Sequence, residues 1–407
     1  MILAAKERQE RKEEMFLFKT LCVLCALLRQ FIRLRLCRAV SICGLKFLLC
    51  LAMGCSLAGA RADDAPARLP RTNLLCFAKP DGSVAPVQTI ADWEKRRAQI
   101  LASMQKIMGP LPGKEKRCPL DVKIEEEVDC GDHVRRFLSY ASEPGGRVPA
   151  YLLIPKSALA DKKTKLPAVL ALHQTHSAGQ KVVVGLGDSP NDEYGVELVK
   201  RGFVVLAPPY TMLANYQPDL RTLGWQSGTL KSVWDNLRGL DLLESLPFVR
   251  TNRGFGAIGH SLGGHNGVFT AVFDERLKVV VSSCGLDSFL DYHGGDPRNW
   301  QPERGWCQLR YMPALTNYVG RLAGIPFDFP ELIGALAPRT CLISAPMGDR
   351  NFRWTSVDEV AQAAWQVYGL YGVPERLQVS HPDCGHLFPA EARERAYRLL
   401  EENLRSR

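Results

Sequence analysis

Gly254-Phe255-Gly256-Ala257-Ile258-Gly259-His260-Ser261-Leu262-Gly263-Gly264-His265 is the stretch that decides the fold. It runs from an apolar segment into Gly-x-Ser-x-Gly, the spacing that seats a serine on a tight strand-to-helix turn with its hydroxyl exposed above a sheet. Side chains at 259 and 263 would strike the neighbouring strand or helix, so glycine is required there on steric grounds. Leu262 to Phe273 then continues as a helical segment. Ser261 is therefore read as a nucleophile. Gly254, Gly256 and Gly259 also match the dinucleotide fingerprint Gly-x-Gly-x-x-Gly. That fingerprint needs its glycines after a strand, opening a helix, so that backbone N–H groups meet a pyrophosphate. Here the glycines span the strand itself, which excludes the nucleotide reading.

Outward from this turn, strands and helices alternate. Leu166 to Leu172 and Gly202 to Ala207 are unbroken apolar runs, the pattern of central strands covered on both faces. Gly254 to Ile258, Leu277 to Ser282, Thr340 to Ala345 and Leu377 to Ser380 continue the series. Val122 to Val128, Arg135 to Tyr140 and Pro149 to Ile154 read as antiparallel strands at one edge. Helices are expected at Ile90 to Met108, started by Asp92, and at Glu193 to Arg201, Leu230 to Leu246, Val357 to Tyr368 and Ala390 to Leu404. The alternation predicts an α/β protein with one doubly wound, mostly parallel sheet of about eight strands. Residues 287–337, rich in Gly, Pro, Trp and Tyr, interrupt it after the sixth strand and read as an insertion over the site.

The first 62 residues stand apart. They hold eleven Lys or Arg and four Asp or Glu, most of the net charge of +9, and the remainder is close to neutral. Leu45 to Ala60 is an apolar stretch of signal-peptide length behind Arg33, Arg35, Arg38 and Lys46, and Ala60-Arg61-Ala62 is a small-residue cleavage pattern. Residues 1–62 are thus expected to be a leader removed after Ala62, residues 63–115 a linker with an N-terminal helix, and residues 116–407 the catalytic domain, exported and without stable membrane association. With the basic leader discounted, nucleic-acid binding has little support. Seven cysteines lie beyond the leader; their odd count leaves at least one unpaired, and Cys284 and Cys341 fall in strands as small buried hydrophobes.

A serine needs a base, and the base needs an acid to orient it. On this topology both follow the serine, acid first. His386, in the loop after the last strand, is the base, and His381 is structural. Asp349, after Thr340 to Ala345, is favoured as the acid over Asp287 and Asp291. The N–H groups of Leu262 and Gln174 are the expected oxyanion donors. His260 and His265 are read as packing residues, and His173 and His176 as turn residues. Trp300, Trp306, Tyr311 and Tyr318 either line a pocket or pack the insertion. No local His, Cys or Asp spacing suits zinc, so neither metal nor cofactor is expected.

From about residue 120 onward the chain resembles the dienelactone-hydrolase-like and acetyl-xylan-esterase-like branch of the α/β-hydrolases. The resemblance rests on His173-Gln174-Thr175, Arg201-Gly202-Phe203-Val204-Val205-Leu206-Ala207-Pro208, the Ser261 turn, Ala337-Pro338-Arg339 and His381-Pro382-Asp383-Cys384-Gly385-His386. Dienelactone hydrolases carry cysteine where Ser261 stands, so the resemblance implies carboxylic esters rather than lactones. It implies a secreted serine carboxylesterase acting through an acyl-enzyme on a small-molecule or carbohydrate ester, with polysaccharide deacetylation as the candidate reaction. A serine peptidase of the prolyl-oligopeptidase type and a non-catalytic binding protein on the same fold are the competing readings; a long β-propeller is lacking for the first.

Overall fold

The computed structural model describes residues 68–161 and 163–405; the leader and its cleavage point lie outside them. Nine strands form the main sheet: β3 (Lys123–Asp129), β4 (His133–Glu143), β5 (Gly146–Pro155), β6 (Ala168–Leu172), β7 (Val204–Ala207), β8 (Phe255–His260), β9 (Leu277–Ser283), β10 (Thr340–Ser344) and β11 (Leu377–Ser380). Their order is β11-β10-β9-β8-β6-β7-β5-β4-β3. Pairing is parallel from β11 to β7 and antiparallel from β7 to β3. All nine match the strand segments read in the sequence, so residues 287–337 follow the seventh strand of the sheet rather than the sixth.

Alternation along β6 shows why its run is wholly apolar. Leu170 and Leu172 face one hydrophobic cluster and Val169 and Ala171 the other. The first face is covered by α1 (Ile90–Met108), α3 (Gly228–Ser245), α4 (Leu262–Phe273), α5 (Phe329–Gly334) and α6 (Trp354–Leu370); the second by α2 (Tyr194–Lys200) and α7 (Ala390–Leu404). Each fully buried Leu or Val contributes about 1.5–3 kcal/mol, which is what holds the layers together.

α3 is buried on nearly every side, although it carries charge. Lys231, fully buried, pairs with Asp235 one turn on and with Glu143 of β4 at 3.0 Å, and Tyr216 donates to Asp235 at 2.7 Å. Among the described residues no helix is long and apolar enough to cross a membrane.

Two expectations at the N-terminal side change. The helix α1 is capped by Thr89, with Asp92 answering as the N3 partner of a capping box. The segment read as an extended linker carries the hairpin β1 (Cys76–Ala78) and β2 (Val84–Pro86). It is also tied to the end of the insertion. Arg68 and Arg96 pair with Glu331, and Arg71 pairs with Asp328 at 2.8 Å. Composition alone hid this, because the arginines find their partners more than 230 residues away.

Candidate active site

Ser261 sits where β8 becomes α4, at φ 50° and ψ −120°. A Cβ on Gly263 would lie 1.8 Å from the Leu172 carbonyl oxygen, and one on Gly259 would lie 2.2 Å from the Gly263 carbonyl carbon. The turn therefore closes only with glycine at both positions, and the closure forces Ser261 into a backbone conformation that few serines adopt. Gly256, the middle glycine of the dinucleotide pattern, lies inside β8 under Leu400 of α7 and opens no helix.

His386 reaches this serine from the loop after β11. Its Nε2 is 2.9 Å from Ser261 Oγ, and its Nδ1 is 2.9 Å from Asp349 Oδ2. Asp349, in the loop after β10, also accepts from the Asn351 N–H at 2.8 Å. Burial alone would raise its pKa; the hydrogen bonds from His386 and the backbone outweigh this and lower it. Asp287 and Asp291 are directed elsewhere: Asp287 accepts from the Arg353 N–H at 3.2 Å, and Asp291 pairs with the Arg353 side chain. His381 bridges the Ala345 carbonyl (2.9 Å) and Asp358 (3.0 Å), tying β10, β11 and α6 together.

Leu262 opens α4, so its N–H has no intrahelical partner and stands beside Ser261. Gln174 follows β6, which pairs with β8 through Leu172 and Gly259. The loop at Gln174 is held by His173, whose Nδ1 is 2.7 Å from the Gln174 carbonyl and whose Nε2 accepts from the Tyr210 N–H at 2.8 Å. Burial pushes His173 down to about 4, consistent with a neutral ring bonded on both sides.

The insertion supplies aromatic rings. From His386 a continuous series runs through Phe352 (6.0 Å between centroids), Tyr292 (5.8 Å) and Trp306 (5.2 Å) to His265 (4.4 Å). His265 is fully buried between Trp306 and Phe269, and burial pushes it down to about 3. Trp300 packs edge-on against Phe289 and Tyr292 inside the insertion, and Tyr311 lies between Trp306 and Tyr210. Tyr292 and Phe352 belong to the series and went unread in the sequence, which gave no sign that two separate loops would bring them together.

Cys284, at φ 49°, follows the last residue of β9. Its Sγ, the Asp349 carboxylate and a His386 nitrogen all lie within 4.8 Å of one another. This grouping joins three loops and has no sequence spacing to reveal it. Two of its members already bond each other, and burial pushes the thiol well above its ordinary pKa. All seven cysteines of the described residues are free.

The sheet order, the serine turn at the end of β8 and the acid and histidine loops after β10 and β11 form one known architecture. The chain has the α/β-hydrolase fold. No family model matches it. The Bacillus subtilis (strain 168) protein named Putative hydrolase YtaP is 25% identical over 319 residues, covering 75% of this chain and 99% of its own. A 4-O-methyl-glucuronoyl methylesterase of Schizophyllum commune is 24% identical over 348 residues, covering 81% of this chain and 82% of that protein. Among solved structures of this α/β-hydrolase fold, a glucuronoyl esterase from Solibacter usitatus superposes with a TM-score of 0.63 at 18% identity, covering 84% of this chain and 99% of that one.

Proposed function

We propose that this protein is a serine carboxylic-ester hydrolase that works through an acyl-enzyme on a carbohydrate ester. The observation that carries the reading is the pair of 2.9 Å contacts placing His386 between Ser261 and Asp349. His386 takes the Ser261 proton as Oγ attacks the ester carbonyl, and Asp349 holds the ring and stabilises the imidazolium. The tetrahedral oxyanion is received by the N–H groups of Leu262 and Gln174. Collapse expels the alcohol, which takes the proton back from His386. Water, deprotonated by the same ring, then releases the acid. No step calls on a metal or an organic cofactor.

The likeness to a 4-O-methyl-glucuronoyl methylesterase and a glucuronoyl esterase supports a sugar-acid ester as substrate, ahead of an acetylated polysaccharide. The leader read in residues 1–62 supports export, with residues 63–115 as an N-terminal extension of the catalytic domain.

The test is to assay the protein lacking residues 1–62 on a 4-O-methyl-glucuronate methyl ester, acetylated xylan and an aryl acetate, beside Ser261→Ala. Hydrolysis of the glucuronate ester, lost in the variant, is expected. Hydrolysis that survives the substitution would overturn the mechanism, and turnover of no ester would overturn the enzymatic reading.

A further inference from the structure

His260, one residue before the serine, has no part in the steps above, and the sequence reads it as packing. Its surroundings are more specific than packing requires. The ring is buried, its centroid 4.9 Å from that of His386, and it stacks on Phe388 at 6.4 Å. Its Nδ1 is 3.3 Å from Ser283 Oγ, at the end of β9. Phe388 is in turn braced by Tyr194 of α2.

His386 hangs on a loop with Leu387, half-exposed, beside it. On the far side its ring meets Phe352 at 6.0 Å, and Cys284, just after β9, holds the loop with its Sγ 3.4 Å from the Leu387 carbonyl. His260 is the ring beside His386 that is carried by the strand that delivers the nucleophile. We propose that His260 is a positioning residue for His386, locking the base to the end of β8 so that ring and Ser261 keep a fixed separation. The inference rests on the triad reading of the previous section.

The other titratable groups around this contact are Asp349 from the loop after β10, Cys284 just after β9 and Tyr194 from α2. Burial, with His386 alongside, pushes His260 down to about 3. It stays neutral while His386 gains and loses its proton, and so adds no second cation beside the imidazolium.

The test compares His260→Phe, His260→Gln and Ser283→Ala in the full pH profile of ester hydrolysis. Phe keeps the stacked face but removes both nitrogens; Gln returns a donor. Loosening His386 from Asp349 weakens the ion pair that favours the protonated ring, so the acid limb of kcat/KM should move to lower pH. His260→Phe should lower kcat by roughly 10- to 100-fold at unchanged KM. Gln should restore most of the rate, and Ser283→Ala should move rate and limb the same way by less. A rate within threefold of wild type with an unmoved limb in both His260→Phe and Ser283→Ala overturns the proposal. If His260→Phe does not fold, Ser283→Ala alone decides by the same two readings. Wild-type hydrolysis that Ser261→Ala leaves intact would instead remove the triad reading itself, a distinguishable failure.

Discussion

Asp349 Oδ2 lies 2.9 Å from His386 Nδ1, whereas Asp287, the other buried acid after a neighbouring strand, is turned to the Arg353 backbone. The two carboxylates therefore answer substitution differently. Asp349→Asn should lower kcat by about 10⁴-fold, because an amide presents the imidazole with the wrong partner and tautomer. Asp287→Asn should keep the activity. Steady-state kinetics on one ester with both variants checks this, and equal losses would reassign the acid.

Asp287 should instead govern stability. Burial pushes its carboxyl up to about 8, against the lowering effect of the Arg353 N–H. Between about pH 4 and pH 8 the folded protein keeps a proton that the unfolded chain releases, so this group's contribution falls as pH rises. Asp287→Asn removes that slope. Urea unfolding should show the variant level with wild type near pH 4 and more stable by about 2–4 kcal/mol at pH 8.

The Leu262 N–H can be removed by proline, which is tolerated at the first position of a helix, at the cost of the buried leucine side chain. Leu262→Pro should cost about 10²–10³-fold in kcat, the usual loss for one oxyanion donor. A circular-dichroism melt beside the kinetics separates this from unfolding. Retained kcat would point to a different donor.

Lys231 answers two buried carboxylates, Asp235 and Glu143. Lys231→Met leaves both without their cation, and the unfolding free energy should fall by about 3–5 kcal/mol. Asp235→Asn in the same background should recover part of it, since it withdraws one uncompensated charge. Chemical denaturation of the single and double variants measures this.

The central strands were legible because burial on both faces leaves a continuous apolar run, as in β6, and the serine turn because a side chain at Gly263 would come within 1.8 Å of the Leu172 carbonyl oxygen. Ser261, Asp349 and His386 could be placed by chain order, since each loop follows a strand end on the same side of the sheet. What escaped reading is contact between distant loops: Cys284 beneath Asp349, Tyr292 beside Phe352, Arg71 on Asp328. Such pairs leave no local period, and a Pro- and Ala-rich segment such as 63–89 looks like a linker until its arginines meet their carboxylates. The cap of α1 shows the same limit in miniature: Thr89 and Asp92 are both good capping residues, and the backbone decides which one leads.

The ion pairs that fasten Arg71 to Asp328 and Arg68 to Glu331 have a consequence in time. Their members stand 257 and 263 residues apart. At ribosomal speeds of about 5–20 residues per second, some ten to fifty seconds separate the synthesis of the two halves of each pair. Through that interval Arg68 and Arg71 are without these two carboxylates. Until Asp328 and Glu331 are made, the end of the insertion cannot be fastened to the N-terminal segment.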